Sequence, residues 1–326
     1  MSPALLLTRS DVAALLDLDA CISAVEAAFR LHGAGEAHTG VLGVHVPGGG
    51  FHIKAGTLHL GRHYFAAKTN ANFPDNPARG LPTIQGVIVL ADADVGTPLA
   101  ILDSMEITTL RTGAATAVAA KYLAREDARS AGLIGCGNQG WVQLRALCRV
   151  RPIKTARVYD RDRQLAEQLA RGLAAELGLE IEVAKDAAAA ARDVDIVVTC
   201  TSAREPILKV GDVRPGTFVA AVGADNPEKQ EIAAALLAAS RVVVDVLDQA
   251  ATIGDLHHAI AAGVMTKGAV TELGQNVAGR AEGRRSPEEV TIFDSTGMAL
   301  QDVAAAAAVY ERAQATGRGT VVQLAG

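Results

Sequence analysis

Short apolar runs recur after residue 130, and they constrain the fold of this chain more than any other feature. They are Ala131–Ile134, Arg157–Tyr159, Ile181–Ala184, Ile196–Thr199, Phe218–Val222 and Val242–Val246. Helix-period stretches lie between most of them, including Gln164–Leu177 and Pro227–Leu237. A strand covered on both faces reads as a continuous apolar run, so repeated β-α-β of this kind predicts an α/β fold with a doubly wound parallel sheet. Aromatic residues are only 3% of the chain, with Trp141 the single tryptophan, so Ala, Val, Leu and Ile must build the core. Side chains of that size let helices pack closely on such a sheet.

The first 130 residues read differently. A helix is expected from Asp19 to His32, where Ile22, Val25 and Phe29 recur at helical spacing. Alternating segments follow at Gly43–Pro47, Phe51–Lys54 and Tyr64–Thr69, with Pro47-Gly48-Gly49-Gly50 as a turn between the first two. A second hairpin, Thr83–Leu90 to Pro98–Leu102, turns on Asp92–Gly96, and an Ala/Thr-rich helix spans Thr108–Tyr122. The last helix, Ala299–Thr316, follows a strand at Val290–Phe293 and is expected to return to the first domain. The division predicted is a mixed α+β domain, residues 1–115 and 300–326, around an α/β domain with the parallel sheet, residues 116–299.

At 326 residues with 31 basic and 36 acidic side chains, the chain is mildly acidic and has no basic block. Such a balance argues against nucleic acid as a partner. Cys21, Cys136, Cys148 and Cys200 are far apart and show no metal-ligand spacing, which suits reduced thiols in a cytoplasmic protein. Ala4–Leu7 is too short for the apolar stretch of a signal peptide, and no window is long and apolar enough for a membrane span. His59 and His63 lack a third ligand on a recognisable motif, so no metal is expected.

The sharpest motif is Gly135-Cys136-Gly137-Asn138-Gln139-Gly140, a G-x-G-x-x-G that follows a predicted strand and opens a helix. Gly135 permits the tight turn, Gly137 lets backbone approach a pyrophosphate, and Gly140 lets the helix sit against the sheet. The pyrophosphate would lie at a helix N-terminus, where free N–H groups favour negative charge. Asp160, twenty residues after Gly140, stands where a carboxylate can accept from the adenosine ribose. It argues for NAD. Arg161 and Arg163 can instead pair with a 2′-phosphate, which keeps NADP as the rival. Thr199 and Thr201 follow the fourth strand, where loops edge the nucleotide.

A nicotinamide enzyme acting on amino or imino acids also needs a cationic clamp for the α-carboxylate and a proton carrier near the nitrogen. Lys68 and Arg111 are candidates for the first and Asp225, just past the fifth strand, for the second. Each has a bland reading: Asp225 as a cap for the helix that Pro227 starts, the two cations as surface charge.

Gly80-Leu81-Pro82-Thr83, Ile107-Thr108-Thr109-Leu110-Arg111-Thr112-Gly113, the glycine motif, Val222-Gly223-Ala224-Asp225-Asn226-Pro227-Glu228-Lys229 and Thr291-Ile292-Phe293-Asp294-Ser295-Thr296-Gly297-Met298-Ala299 together resemble the ornithine cyclodeaminase/μ-crystallin family. The likeness runs from about residue 60 to the C-terminus. It implies a Rossmann domain, a second domain that builds a homodimer, and an active site in the cleft between them. By motif, Lys68 and Arg111 resemble substrate-carboxylate ligands with Thr83 beside them, and Asp225 resembles the general acid/base. Thr112 resembles a phosphate contact, Val222 and Gly223 belong to the nucleotide site, and the Asp294–Gly297 loop with Ser295 approaches the nicotinamide end.

Three functions follow from the resemblance: an NAD(P)H-dependent imine reductase or amino-acid dehydrogenase, a redox-neutral cyclodeaminase that releases ammonia, and a non-catalytic binding protein of the crystallin type. The chain departs from the cyclodeaminase pattern upstream of Lys68. Between Glu36 and Asp75 it has no acidic residue, and carries instead His45, His52, Lys54, His59, Arg62 and His63. A buried ammonium without a counter-charge is costly, so the first function is favoured, with a substrate of small or acidic side chain. The family's arginine ahead of the β region is not recognisable, and His45 or Lys54 stands in its place.

Overall fold

The computed structural model describes residues 3–324. Its first segment opens with β1 (Ala4–Leu7), then α1 (Arg9–Leu15) and α2 (Leu18–Ala34). Thr8 and Asp17 start these helices by accepting backbone N–H groups from Asp11 and Ala20. The predicted stripe Ile22, Val25 and Phe29 is the buried face of α2. Then come β2 (His38–Val46), β3 (Gly49–His59), β4 (His63–Asn72), β5 (Ile84–Asp92), β6 (Pro98–Asp103) and α3 (Met105–Leu123). The first hairpin is longer than its sequence suggests: it turns at Pro47 and Gly48, while Gly49 and Gly50 pair within β3. A side chain at Gly49 would meet the Asn72 carbonyl oxygen at 2.5 Å, so glycine here serves strand contact rather than the turn.

The second segment alternates as expected: β7 (Ser130–Ile134), α4 (Asn138–Val150), β8 (Thr155–Tyr159), α5 (Arg163–Leu177), β9 (Glu180–Val183), α6 (Ala187–Ala191), β10 (Ile196–Thr199) and β11 (Phe218–Ala221). It continues with α7 (Ala234–Ala238), β12 (Arg241–Val244), α8 (Leu247–Ile253), α9 (Asp255–Ala261), β13 (Thr271–Glu272), α10 (Leu273–Val277) and β14 (Thr291–Asp294). The strands form one parallel sheet in the order β13-β12-β14-β11-β10-β7-β8-β9. Strand order reverses at β7, so the loops after β7 and β10 diverge at the carboxyl edge, where doubly wound sheets bind ligands. β10, β11 and β14 are buried along their whole length, as continuous apolar runs require.

One predicted helix is absent. Pro227–Leu237 contains helix only at α7. The N–H groups of Glu231 and Ile232, which a helix would use internally, donate instead to buried Asp255 Oδ1 at 2.8 Å each. Ile232 also forms an isolated parallel bridge with Leu208.

The chain closes with α11 (Ala299–Thr316) and β15 (Thr320–Val322). Both belong with the first segment, in a seven-stranded sheet ordered β15-β1-β6-β5-β4-β3-β2. Only β1 and β6 run parallel in it. Ala4–Leu7, read in the sequence only as a short apolar run, is thus a strand inside this sheet. α11 packs on the sheet where Gly56 leaves room for Leu300: a Cβ there would lie 2.8 Å from its side chain. The opposite face presents Leu42, Val44, Val46, Phe51, Val87 and Val89, all exposed. The described residues up to Arg111 with those from Met298 onward form one compact unit, and Thr112–Gly297 form a second. No helix among the described residues is long and apolar enough to cross a membrane.

Candidate active site

At the end of β7, Gly135 takes φ +104°, and a Cβ there would meet the Cys200 carbonyl oxygen at 2.7 Å. A Cβ on Gly140 would meet the Gly135 carbonyl oxygen at 2.4 Å, so the helix start lies directly on the turn. Gly137 differs. It precedes α4 with φ −73°, no side chain caps that helix, and a Cβ added there meets nothing within 4 Å. Asn138 and Gln139 are the first residues of α4. No side chain among the described residues therefore crowds or caps this helix start, the arrangement an anion needs. Next to them is a cavity of about 410 Å³ bounded by Gly135, Gly137, Asp160, Arg161, Thr201 and Ala203. Asp160 accepts the Cys136 and Asp162 N–H groups at 2.7 and 2.9 Å, one per oxygen. Each oxygen keeps a lone pair for a further donor. Arg163 is held by Glu167 at 2.8 Å, whereas Arg161 borders the cavity. Uncapped helix, adjoining cavity and fixed acceptor together fit a dinucleotide.

Behind this loop lies a group that sequence reasoning missed. Glu231 is fully buried and accepts four bonds: the Thr199 hydroxyl at 2.7 Å, the Thr201 N–H and hydroxyl at 2.6 and 2.7 Å, and the Gly223 N–H at 2.7 Å. Burial pushes its acid up and these donors pull it back. The polar groups of Thr199, Thr201 and Gly223, read as nucleotide contacts, are therefore engaged by Glu231, because a buried carboxylate needs donors; Thr201 alone of the three also borders the cavity. The Val222 N–H donates to the Thr199 carbonyl and the Ser295 N–H to the Ala221 carbonyl, so both hold strand ends together.

Asp294 is likewise interior. Its Oδ2 accepts the Leu256 N–H at 2.8 Å, at the start of α9. Asp255 Oδ2 and Asp294 Oδ1 have no hydrogen-bond partner among the described residues. Burial pushes Asp294 up to about 7, with Asp245 and Glu231 adding to the shift, and pushes Asp255 well above its ordinary range, with Asp294 adding to that one. Thr296 and Gly297 donate to buried Asp245. The Asp294–Gly297 loop is thus anchored inside the second unit by its polar groups.

The first unit contains a compact ionic cluster. Lys68 on β4 and Arg111 on α3 are both buried, and both meet Asp302 on α11. Lys68 Nζ lies 2.7 Å from Asp302 Oδ2, and Arg111 Nε lies 3.4 Å from Asp302 Oδ1. Arg111 also donates to Gln301 Oε1 at 2.9 Å, and Lys68 to Thr108 Oγ1 at 3.5 Å. The bland reading of these cations as surface charge fails. Burial lowers Lys68 to about 7, with Arg111 and Lys54 lowering it further and Asp302 opposing them. Gln301 and Asp302 were not singled out by sequence reasoning. Their signal was a Gln-Asp pair inside an otherwise Ala- and Val-rich helix, where buried polar groups demand partners.

The structure does not bring Thr83 to this cluster. Lys68 pairs with Ile88, and Thr83 lies five residues along, about 17 Å at the rise of a strand. Thr112 directly follows Arg111 on α3 and is buried. Lys54 is directly opposite Lys68, and His45 pairs with Gly50 on the neighbouring strand. Asp225 follows β11 at the carboxyl edge of the parallel sheet, its side chain 49% exposed and held by Lys229 Nζ at 2.8 Å. With no helix starting at Pro227, it caps nothing.

Over residues 3–317 the chain matches the ornithine cyclodeaminase/mu-crystallin family. It is 38% identical to an archaeal alanine dehydrogenase solved as a dimer with bound NAD, at TM-score 0.95 over 99% of this chain and 100% of that one. It is 36% identical to the Δ1-pyrroline-2-carboxylate reductase of Thermococcus litoralis in complex with NADH and L-proline, at TM-score 0.93 over 97% and 99%. The iminosuccinate reductase of Paracoccus denitrificans with NAD+ is 34% identical, at TM-score 0.93 over 99% and 100%. The chain therefore belongs to the ornithine cyclodeaminase/mu-crystallin family.

Proposed function

We propose that the protein is an NAD(H)-dependent oxidoreductase that moves hydride at the Cα–N bond of a small α-imino or α-amino acid. The observation that carries this reading is the buried cluster in which two cations, Lys68 and Arg111, meet a single carboxylate, Asp302. Buried charge is stable only when matched, and an incoming α-carboxylate matches the excess. The relatives named above act, by their names, on alanine, pyrroline-2-carboxylate and iminosuccinate, all with a carboxylate next to a C–N bond.

When bound, the nicotinamide supplies or takes the hydride at Cα. Gly135, Gly137 and the start of α4 hold the pyrophosphate, and Asp160 accepts from the adenosine ribose. Asp160 and the Glu167-held Arg163 favour NAD over NADP. Arg111 offers a planar fork and protonated Lys68 a point charge to the α-carboxylate. In the reductive direction the imine gains one hydride at carbon and one proton at nitrogen, and Asp225 supplies that proton. A protonated imine accepts hydride more readily than a neutral one. The exposed apolar face of the seven-stranded sheet suits a homodimer, the state in which the archaeal relative was solved.

NADH deuterated at carbon four tests the reading. With both hydrogens at that carbon replaced, one deuterium is expected at Cα of the amino-acid product and the other stays in NAD+; product without label contradicts the reading. Asp225→Asn is expected to lower turnover at least about a hundredfold. Full turnover with an unchanged pH profile removes Asp225 from the proton step.

A further inference from the structure

Asp225 rides on a loop whose two ends are tied together by one buried side chain. Gly223 and Glu231 are eight residues apart in the chain, and the Gly223 N–H donates to Glu231 Oε2 at 2.7 Å. Oε2 also accepts the Thr199 hydroxyl, while Oε1 accepts both the N–H and the hydroxyl of Thr201. Glu231 is itself pinned by its backbone. Its N–H donates to Asp255, and its carbonyl accepts the Ile207 and Leu208 N–H groups at 2.8 and 3.1 Å. The carboxylate therefore stands on a fixed segment and reaches two loops at once. One runs through Thr201 and Ala203 along the cavity beside the glycine turn, and the other carries Asp225. Thr201 passes the tie on, because its hydroxyl accepts the Ala203 N–H at 3.1 Å. The two loops are also in direct contact: a Cβ on Gly223 would collide with the Thr201 carbonyl oxygen and lie 2.5 Å from the Glu231 carboxyl group.

A carboxylate suits this place and an amide does not. Each oxygen of Glu231 takes one backbone N–H and one hydroxyl. A hydroxyl can turn round and accept, but a backbone N–H cannot. An amide would set its own NH2 against the Thr201 N–H or the Gly223 N–H, whichever way it lay. One of the two loops would then lose its tie and keep a buried, unpaired donor. We propose that Glu231 is a positioning residue: by fastening the base of the Asp225 loop to the wall of the nucleotide cavity, it sets where Asp225 stands relative to the bound cofactor. The proposal rests on the proton role of Asp225. Displacement by about an ångström is enough to cost a transfer step dearly. The grip on the nucleotide, at the start of α4 and at Asp160, uses other groups, so turnover should suffer more than cofactor affinity.

The test is Glu231→Gln, alone and combined with Asp225→Asn. Alone, it is expected to lower kcat at least about tenfold, while the NADH dissociation constant, read by fluorescence, changes less than about threefold. In the Asp225→Asn background it should lower kcat less than about twofold, because a residue that acts through another adds nothing once the other is gone. An equal fall in both backgrounds overturns the proposal and leaves the proton role standing. Asp225→Asn at full turnover overturns that role and the proposal with it. Backbone amide exchange reads the tie without turnover. The Thr201 or the Gly223 amide is expected to exchange at least about tenfold faster in Glu231→Gln than in the wild type; wild-type rates at both overturn the proposal. Should Glu231→Gln fail to fold, Thr199→Val removes one donor from the same carboxylate at nearly constant volume. Its kcat is expected to fall at least about threefold and to recover in Thr199→Ser; an unchanged kcat in Thr199→Val overturns the proposal.

Discussion

Lys68 is a lysine made to work near neutrality. Burial strips its ammonium of water, Arg111 and Lys54 repel it, and Asp302 alone favours the charged form, leaving it at about 7. Only the protonated amine holds a carboxylate. KM for the substrate is therefore expected to rise as pH rises through about 7, by up to about tenfold per unit, with kcat changing less. Asp302→Asn removes the one group that raises Lys68, so the break in the KM profile should move to lower pH. An unmoved break would show that Asp302 does not set the charge of Lys68. Gly137 gives a separate test on the nucleotide loop. A Cβ there meets nothing in the protein, so Gly137→Ala should cost no more than about 1 kcal/mol of stability, the range of an N-cap change. It should still weaken NADH at least about tenfold, because the methyl occupies the space a pyrophosphate needs. Melting temperature and fluorescence titration of NADH separate these effects; loss of both together would mark Gly137 as structural.

Elements with strong local patterns were legible in the sequence, and those held by distant partners were not. The parallel strands declared themselves as apolar runs, and α2 as a helical stripe. β1 escaped because a four-residue run becomes a strand only through pairing with β6 and β15. The helix expected over Pro227–Leu237 failed because buried Asp255 takes the backbone N–H groups of Glu231 and Ile232. Among the candidate site residues, Lys68, Arg111 and Asp225 came from motif and position, whereas Asp302 is brought to Lys68 by α11 from the far end of the chain. Glu231 hid in a stretch misread as helix. The Asp255–Asp294 pair also sets an expectation for stability. Asp294 holds its proton to about 7 when folded and releases it near 3.8 when unfolded. Its contribution is complete below pH 4 and is lost as pH rises through about 7. Relative to Asp294→Asn, the wild type should lose at least about 1 kcal/mol between pH 5 and 9. Parallel slopes in denaturant unfolding across that range would show that the pair does not titrate as described.

Over the whole molecule, labour is divided by sequence segment. One unit, assembled from both ends of the chain, carries the Lys68–Asp302–Arg111 cluster. The other carries the glycine turn, the cavity beside it and Asp225. Under the proposed function, the carboxylate anchor is drawn from the first set and the nucleotide site and proton source from the second. Membership of the family leaves two outcomes for that chemistry: net redox turnover, or a hydride lent and returned while ammonia leaves. They separate on nicotinamide absorbance, followed with NADH against 2-oxo acids plus ammonia and against cyclic imines. Parallel wells hold NAD+ with ornithine and are assayed for ammonia. The proposed oxidoreductase is expected to consume NADH in step with amino acid formed and to release no ammonia from ornithine. Ammonia released from ornithine at flat absorbance, with no imine reduced, would contradict it.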